Sequence, residues 1–235
     1  MTNARVHVLA IVATVAFVSF ASASPAPATL AAWQRYAAGL EQQLDRARGA
    51  GRSAPHDTLT ATGESIPVPS GTISHWRGAV FIRGVTLDRV LSGLTNPGTP
   101  PPQADVVASR VLARDACSVR VYIRLVRHAI VTATYDTEHE MTFTRHSPTL
   151  ATARSVATRI AEVGGGDRGF LWRLHSYWRY EQQPGGVLVE LDSLTLSRSV
   201  PAIVRPVAMP LVNQVARESM TRTLEALKRF FEKSA

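Results

Sequence analysis

The chain has 235 residues, 45% hydrophobic and 19% charged, with 14 Pro and 15 Gly. That composition excludes a disordered chain, a collagen-like repeat and a disulfide-stapled miniprotein, and fits one ordinary core. Formal charge is +8, but every basic residue except Lys228 and Lys233 is Arg, a skew that reads more simply as coding bias than as a binding surface.

Cys117 is the only cysteine and the His residues are scattered, so neither a disulfide framework nor a structural zinc site is expected, and no signal points to a cofactor. At the N-terminus Arg5 precedes an apolar run from Val6 to Phe20, followed by Ala21-Ser22-Ala23. A positive end, a short apolar stretch and small residues ahead of a cut predict a signal peptide over residues 1–23, cleaved after Ala23. The alternative is an uncleaved anchor, for which the run is short. The expected product is exported, periplasmic or secreted.

In residues 24–48, Leu30, Trp33, Ala37, Leu40 and Leu44 recur at spacings of three and four, which predicts an amphipathic helix docked on the main domain. Residues 49–70, with Gly51, Pro55, Gly63, Pro67 and Pro69, read as a linker. The domain proper is expected over residues 71–235.

There the period changes to two. Trp76, Val80 and Ile82 share one face of a strand over Thr72 to Arg83, and Leu87, Val90, Leu91 and Leu94 share one side of a short helix. Strands are predicted over Val106 to Arg114, Ser118 to Arg127, Ile130 to Arg145, Ala151 to Val163, Phe170 to Glu181 and Val187 to Arg198, seven in all. Short connections between them suit antiparallel hairpins. Beyond Pro201, Pro206 and Pro210, a final helix from about Val212 to Lys233 presents Met220, Leu224, Leu227 and Phe231 on one stripe. An α+β domain follows, a curved seven-stranded antiparallel sheet wrapped around the C-terminal helix.

This order resembles the START-like superfamily, also called SRPBCC or helix-grip, which includes polyketide cyclases and dehydrases and plant lipid binders. Local stretches narrow the resemblance to a bacterial exported branch: Ile73-Ser74-His75-Trp76-Arg77-Gly78, Val80 to Leu87, Asp136-Thr137-Glu138-His139, Thr158 to Val163, Gly169 to Tyr180 and Leu196-Ser197-Arg198. They identify a branch and not an activity. The resemblance implies a cavity between sheet and helix, used in many relatives for a lipid, sterol, polyketide or aromatic ligand.

The candidate ligand-binding residues are Trp76, Val131, Tyr135, His139, Arg159, Trp172, Trp178, Met220, Leu224 and Leu227. Trp76, Tyr135, Trp172 and Trp178 are large planar groups able to line a pocket, with core packing as the alternative. Strand parity puts His139 inward with Tyr135 and Met141. It could serve as an acid or base, but no nucleophile accompanies it, and a satisfied core histidine is the simpler reading. Arg159, in register with Ala157 and Ala161, could meet an anionic headgroup or pair with Glu190 or Glu138.

The favoured reading is an exported, non-catalytic carrier of a hydrophobic small molecule. Movement of the Thr86 to Leu94 helix or of the Gly164 to Gly169 loop would gate it. The overall basicity is compatible with a peripheral membrane surface, nothing indicates nucleic acid, and the oligomeric state is open. Two alternatives stand beside it: a cyclase- or dehydrase-type enzyme using His139 with Tyr135 or Tyr177, and a closed-core interaction module contacting its partner through the N-terminal helix.

Overall fold

The computed structural model of the protein describes residues 24–50, 59–95, 105–128, 132–164, 171–200, 203 and 205–233. The expected signal peptide, Val131 and most of the Gly164 to Gly169 loop lie outside the described residues.

The elements in chain order are α1 (Pro27–Arg46), β1 (Thr60–Val68), β2 (Gly71–Arg83), α2 (Leu87–Thr95), β3 (Val106–Arg114), β4 (Ser118–His128), β5 (Thr132–Ser147), β6 (Leu150–Glu162), β7 (Arg173–Gln183), β8 (Gly186–Arg198) and α3 (Arg205–Glu232). The strands form one antiparallel sheet in the order β1-β2-β8-β7-β6-β5-β4-β3. The expected seven strands are therefore eight. Thr60–Val68, part of the expected linker, is an edge strand paired with β2 throughout. Pro67 and Gly63 hid it, yet an edge strand tolerates proline because only one side of its backbone needs partners. Gly63 has a packing reason too, since a Cβ there would lie 2.3 Å from the Trp76 ring on the neighbouring strand.

The sheet is covered on both sides. On its concave side Trp76, Val80 and Ile82 of β2, Val187, Val189 and Leu191 of β8, and Tyr180 of β7 pack against Met220, Leu224, Leu227 and Phe231 of α3. The final helix starts at Arg205 rather than near Val212, and so contains both Pro206 and Pro210. Pro206 lies in the first turn, where no intrahelical N–H bond is required; Pro210 leaves the Pro206 carbonyl without its helical donor at an exposed end. α3 lies closest to β1 and β2. A Cβ at Gly78 would come within 2.6 Å of the Leu224 side chain, so glycine there sets how near the helix approaches.

On the outer side Trp33, Ala37 and Leu40 of α1 pack on Ile73, Tyr177, Leu194 and Leu196. Thr29 ties the start of α1 to the β1–β2 turn, its hydroxyl donating to the Pro69 carbonyl at 2.6 Å. Covered on both faces, β8 opens with three consecutive fully buried residues, Val187, Leu188 and Val189. That is how a central strand reads in sequence, as an unbroken apolar run.

Candidate functional site

α3 lies closest to β1 and β2, and the core cluster it forms extends over Tyr180 of β7 and Ala151 and Ala153 of β6. The far edge of the sheet also meets α3. Arg222, midway along α3, pairs at 3.2 Å with Asp105, the residue immediately before edge strand β3. Both edges of the sheet thus meet one helix, and the concave faces of β5 and β6 lie between those two contacts.

On β6 the concave positions are small and buried, Ala151, Ala153, Ser155 and Ala157, and they face larger partners on β5, among them His139, Met141 and Phe143. Within this lining Tyr135, Thr137 and His139 alternate with outward-facing Asp136 and Glu138, as the period of two on β5 requires. Thr137 donates its single hydroxyl hydrogen to the Ile123 carbonyl at 2.9 Å. Its oxygen therefore accepts from His139 Nε2 at 3.0 Å, which puts the imidazole proton on Nε2 and leaves Nδ1 as an acceptor. Ser155 Oγ lies 3.4 Å from Nδ1, at the outer limit of a hydrogen bond. Burial lowers the His139 pKa to about 4, so the ring is neutral at physiological pH. Thr137 and Ser155 were not among the sequence candidates, although the alternation that brings in Tyr135 and His139 also selects Thr137.

The other candidates divide. Trp76, Trp178, Met220, Leu224 and Leu227 join the concave core, with Trp178 stacked parallel on Tyr180 at 6.2 Å between ring centroids. The Trp76 indole N–H is buried without a hydrogen-bond partner among the described residues, and Arg217 of α3 lies over its ring at 5.9 Å. Trp172 goes elsewhere. It sits in a bend just before β7, where strand alternation does not govern its direction, and packs with Trp33 and Ile73 on the outer face. Arg159 is also corrected. The register shifts between Glu138 and His139, which pair with Arg159 and Ala157 respectively, so Thr158 is the extra residue of a bulge. That bulge inverts the parity of β6. Arg159 emerges on the outer face, 58% exposed and 3.6 Å from Glu138, one of the two ion-pair partners considered from sequence.

The outer face has its own polar network under α1. The Tyr36 hydroxyl donates to His75 Nδ1 at 2.9 Å, and Asp192 accepts from His75 Nε2 and from Arg77 Nε, each at 2.8 Å. Further along, Glu41 accepts from Tyr177 at 2.8 Å and from Arg154 at 2.9 Å. Burial, reinforced by Glu41, pushes the Tyr177 phenol well above its ordinary pKa. A cleft of about 460 Å³ lies between the end of α1 and the outer faces of β5 to β8, lined by Arg48, Thr144, His146, Arg154, Arg179 and Glu190 among others. Its charges are committed to one another: Arg154 to Glu41, and Arg179 to Glu181 and Glu190. Among the described residues no group of three His, Cys, Asp or Glu could hold a metal, and no helix is long and apolar enough to cross a membrane.

No family profile and no curated protein matches the chain. Among solved structures it is similar to a STAR-related lipid transfer protein from Xanthomonas axonopodis, at 17% identity and a TM-score of 0.51, over 72% of this chain and 97% of that one. It is similar also to human STARD10, at 9% identity and a TM-score of 0.50, over 82% of this chain and 81% of that one. Likeness at such identities speaks for the fold. An antiparallel sheet packed on a long C-terminal helix, in a chain similar to these two structures, is the helix-grip, START-like fold.

Proposed function

We propose that the protein binds an apolar small molecule between the concave face of its sheet and α3 and carries it outside the cytoplasm, without chemical conversion. The observation that carries this reading is the double contact of the sheet with α3, through β1 and β2 at one edge and Asp105–Arg222 at the other, around a face on which β6 carries Ala151, Ala153, Ser155 and Ala157. The small side chains along β6 suit the apolar body of a ligand, and apolar surface buried against them would contribute about 25 cal/mol per Å². The lipid-transfer designation of the Xanthomonas protein supports the same ligand class. Holding rather than converting is supported by His139, whose partners Thr137 and Ser155 are hydroxyls and not the carboxylate that would tune an acid or base. Export is proposed from the N-terminal sequence. The packing of Trp33, Ala37 and Leu40 of α1 on the sheet supports the carrier reading over an interaction module that would use this helix.

The test is mass spectrometry of an organic extract of gently purified protein, alongside native mass spectrometry of the intact chain. A stoichiometric apolar species is expected, and it should be lost in Ala153→Trp, which puts a large ring on the concave face of β6. Protein that carries no such species and takes up none from a lipid extract would overturn the reading.

A further inference from the structure

Resting on that reading, we infer that the bound molecule is an uncharged alcohol or phenol, its hydroxyl seated between His139 Nδ1 and Ser155 Oγ. Two apolar clusters lie on the concave side: the large one against α3, and a smaller one of Leu125, Ala133 and Tyr135. Thr137, His139 and Ser155 form the polar strip between them.

The hydrogen-bond directions specify what this strip accepts. Thr137 has spent its proton on Ile123 and its oxygen on His139 Nε2. What is left is the Nδ1 lone pair, whose contact with Ser155 at 3.4 Å is too long to satisfy it well, and the Ser155 hydroxyl itself. One acceptor and one donor-acceptor side by side match a group that both donates and accepts. A hydroxyl does both, whereas a carboxylate or phosphate offers Nδ1 only a second acceptor.

Charge points the same way. The side chains flanking His139 on that face, Val121, Thr137, Met141, Ser155 and Ala157, are all uncharged. The carboxylates and guanidiniums of the neighbouring strand positions, Asp136, Glu138, Arg124 and Arg159, lie on the outer face in pairs with one another. On α3, Arg222 is paired with Asp105 and Glu218 through its terminal nitrogens, its buried Nε having no hydrogen-bond partner among the described residues, and Arg217 lies over the Trp76 ring. An anionic headgroup brought to His139 would be buried without a counter-charge, which is costly.

The experiment measures binding of three probes of similar shape to the purified, delipidated protein at pH 7.5 by calorimetry: 2-naphthol, 2-methylnaphthalene and 2-naphthoate. 2-Naphthol is expected to bind about tenfold more tightly than either of the others, the scale of one well-made buried hydrogen bond. In Ser155→Ala and in His139→Phe the ratio of the 2-naphthol affinity to the 2-methylnaphthalene affinity should fall to about threefold or less. Ser155→Ala alone decides the matter where His139→Phe does not fold. Equal binding of naphthol and naphthoate, or an alcohol preference that survives Ser155→Ala, overturns the inference and leaves the carrier reading standing. Failure of all three probes to bind overturns the inference, and the carrier reading falls with it only where the protein also takes up no apolar species from a lipid extract.

Discussion

His139 sits among alanines and hydroxyls with one ring nitrogen donating and the other poorly matched, and burial holds its pKa near 4 against an ordinary 6.5. Between those two values the unfolded chain binds more protons at this position than the folded one, so its contribution is fully present above pH 6.5 and is lost as pH falls toward 4. The loss amounts to about 2–3 kcal/mol. His175, lowered to about 4 by burial and then by Arg154, adds a loss of the same sign in the same window. Urea unfolding of His139→Asn at pH 7 and pH 4.5 should show a stability difference smaller than the wild type's by roughly that 2–3 kcal/mol; an unchanged difference would mean that His139 is not held neutral. Arg159 makes the contrasting case. With its side chain 58% exposed and a single long ion pair, Arg159→Ala should change stability by less than about 0.5 kcal/mol and leave ligand affinity unaltered. A several-fold loss of affinity would put the side chain back on the concave face. Periodicity alone placed His139, because β5 runs regularly through it, and misplaced Arg159, because the bulge at Thr158 leaves no mark in the sequence.

Among the elements, α1 was legible as a stripe that had to pack on something, and its partner was not. Its apolar positions are close to those the spacing selects, with Trp33, Ala37 and Leu40 buried and the ends anchored by Thr29 on Pro69 and by Glu41 on Tyr177 and Arg154. Trp33 also meets the His175 ring edge-on at 5.0 Å. A helix so attached belongs to the folding unit. Trp33→Ala should therefore cost about 3–5 kcal/mol in chemical unfolding, with one cooperative transition preserved; a change below about 1 kcal/mol would show a detachable arm. β1 failed to announce itself for a different reason. Its half-exposed pattern, Pro67 and Gly63 all look like linker until β2 supplies a partner and Trp76 supplies a ring to cover the glycine.

For the molecule as a whole, closure depends on how the far edge of the sheet is held. β3 is largely exposed, its pairing with β4 is interrupted by two register shifts, and Asp105 reaches α3 through Arg222. Such an edge has low local stability. Arg222→Ala should lower the thermal midpoint little yet accelerate hydrogen exchange at the β3 amides several-fold; unchanged exchange would assign closure to other contacts. The sequence by itself determined α1, the order of elements from β2 onward, the inward face of each regular strand and the apolar stripe of α3, because those follow from periodicities of two and 3.6 carried by neighbouring residues. Tertiary structure alone decided which face α1 covers, that Thr60–Val68 joins the sheet, that Arg159 and Trp172 turn outward, and that Thr137, His139 and Ser155 converge. Each of these rests on register, a bulge or a contact between residues distant along the chain, and no local pattern encodes where two remote strands come into step.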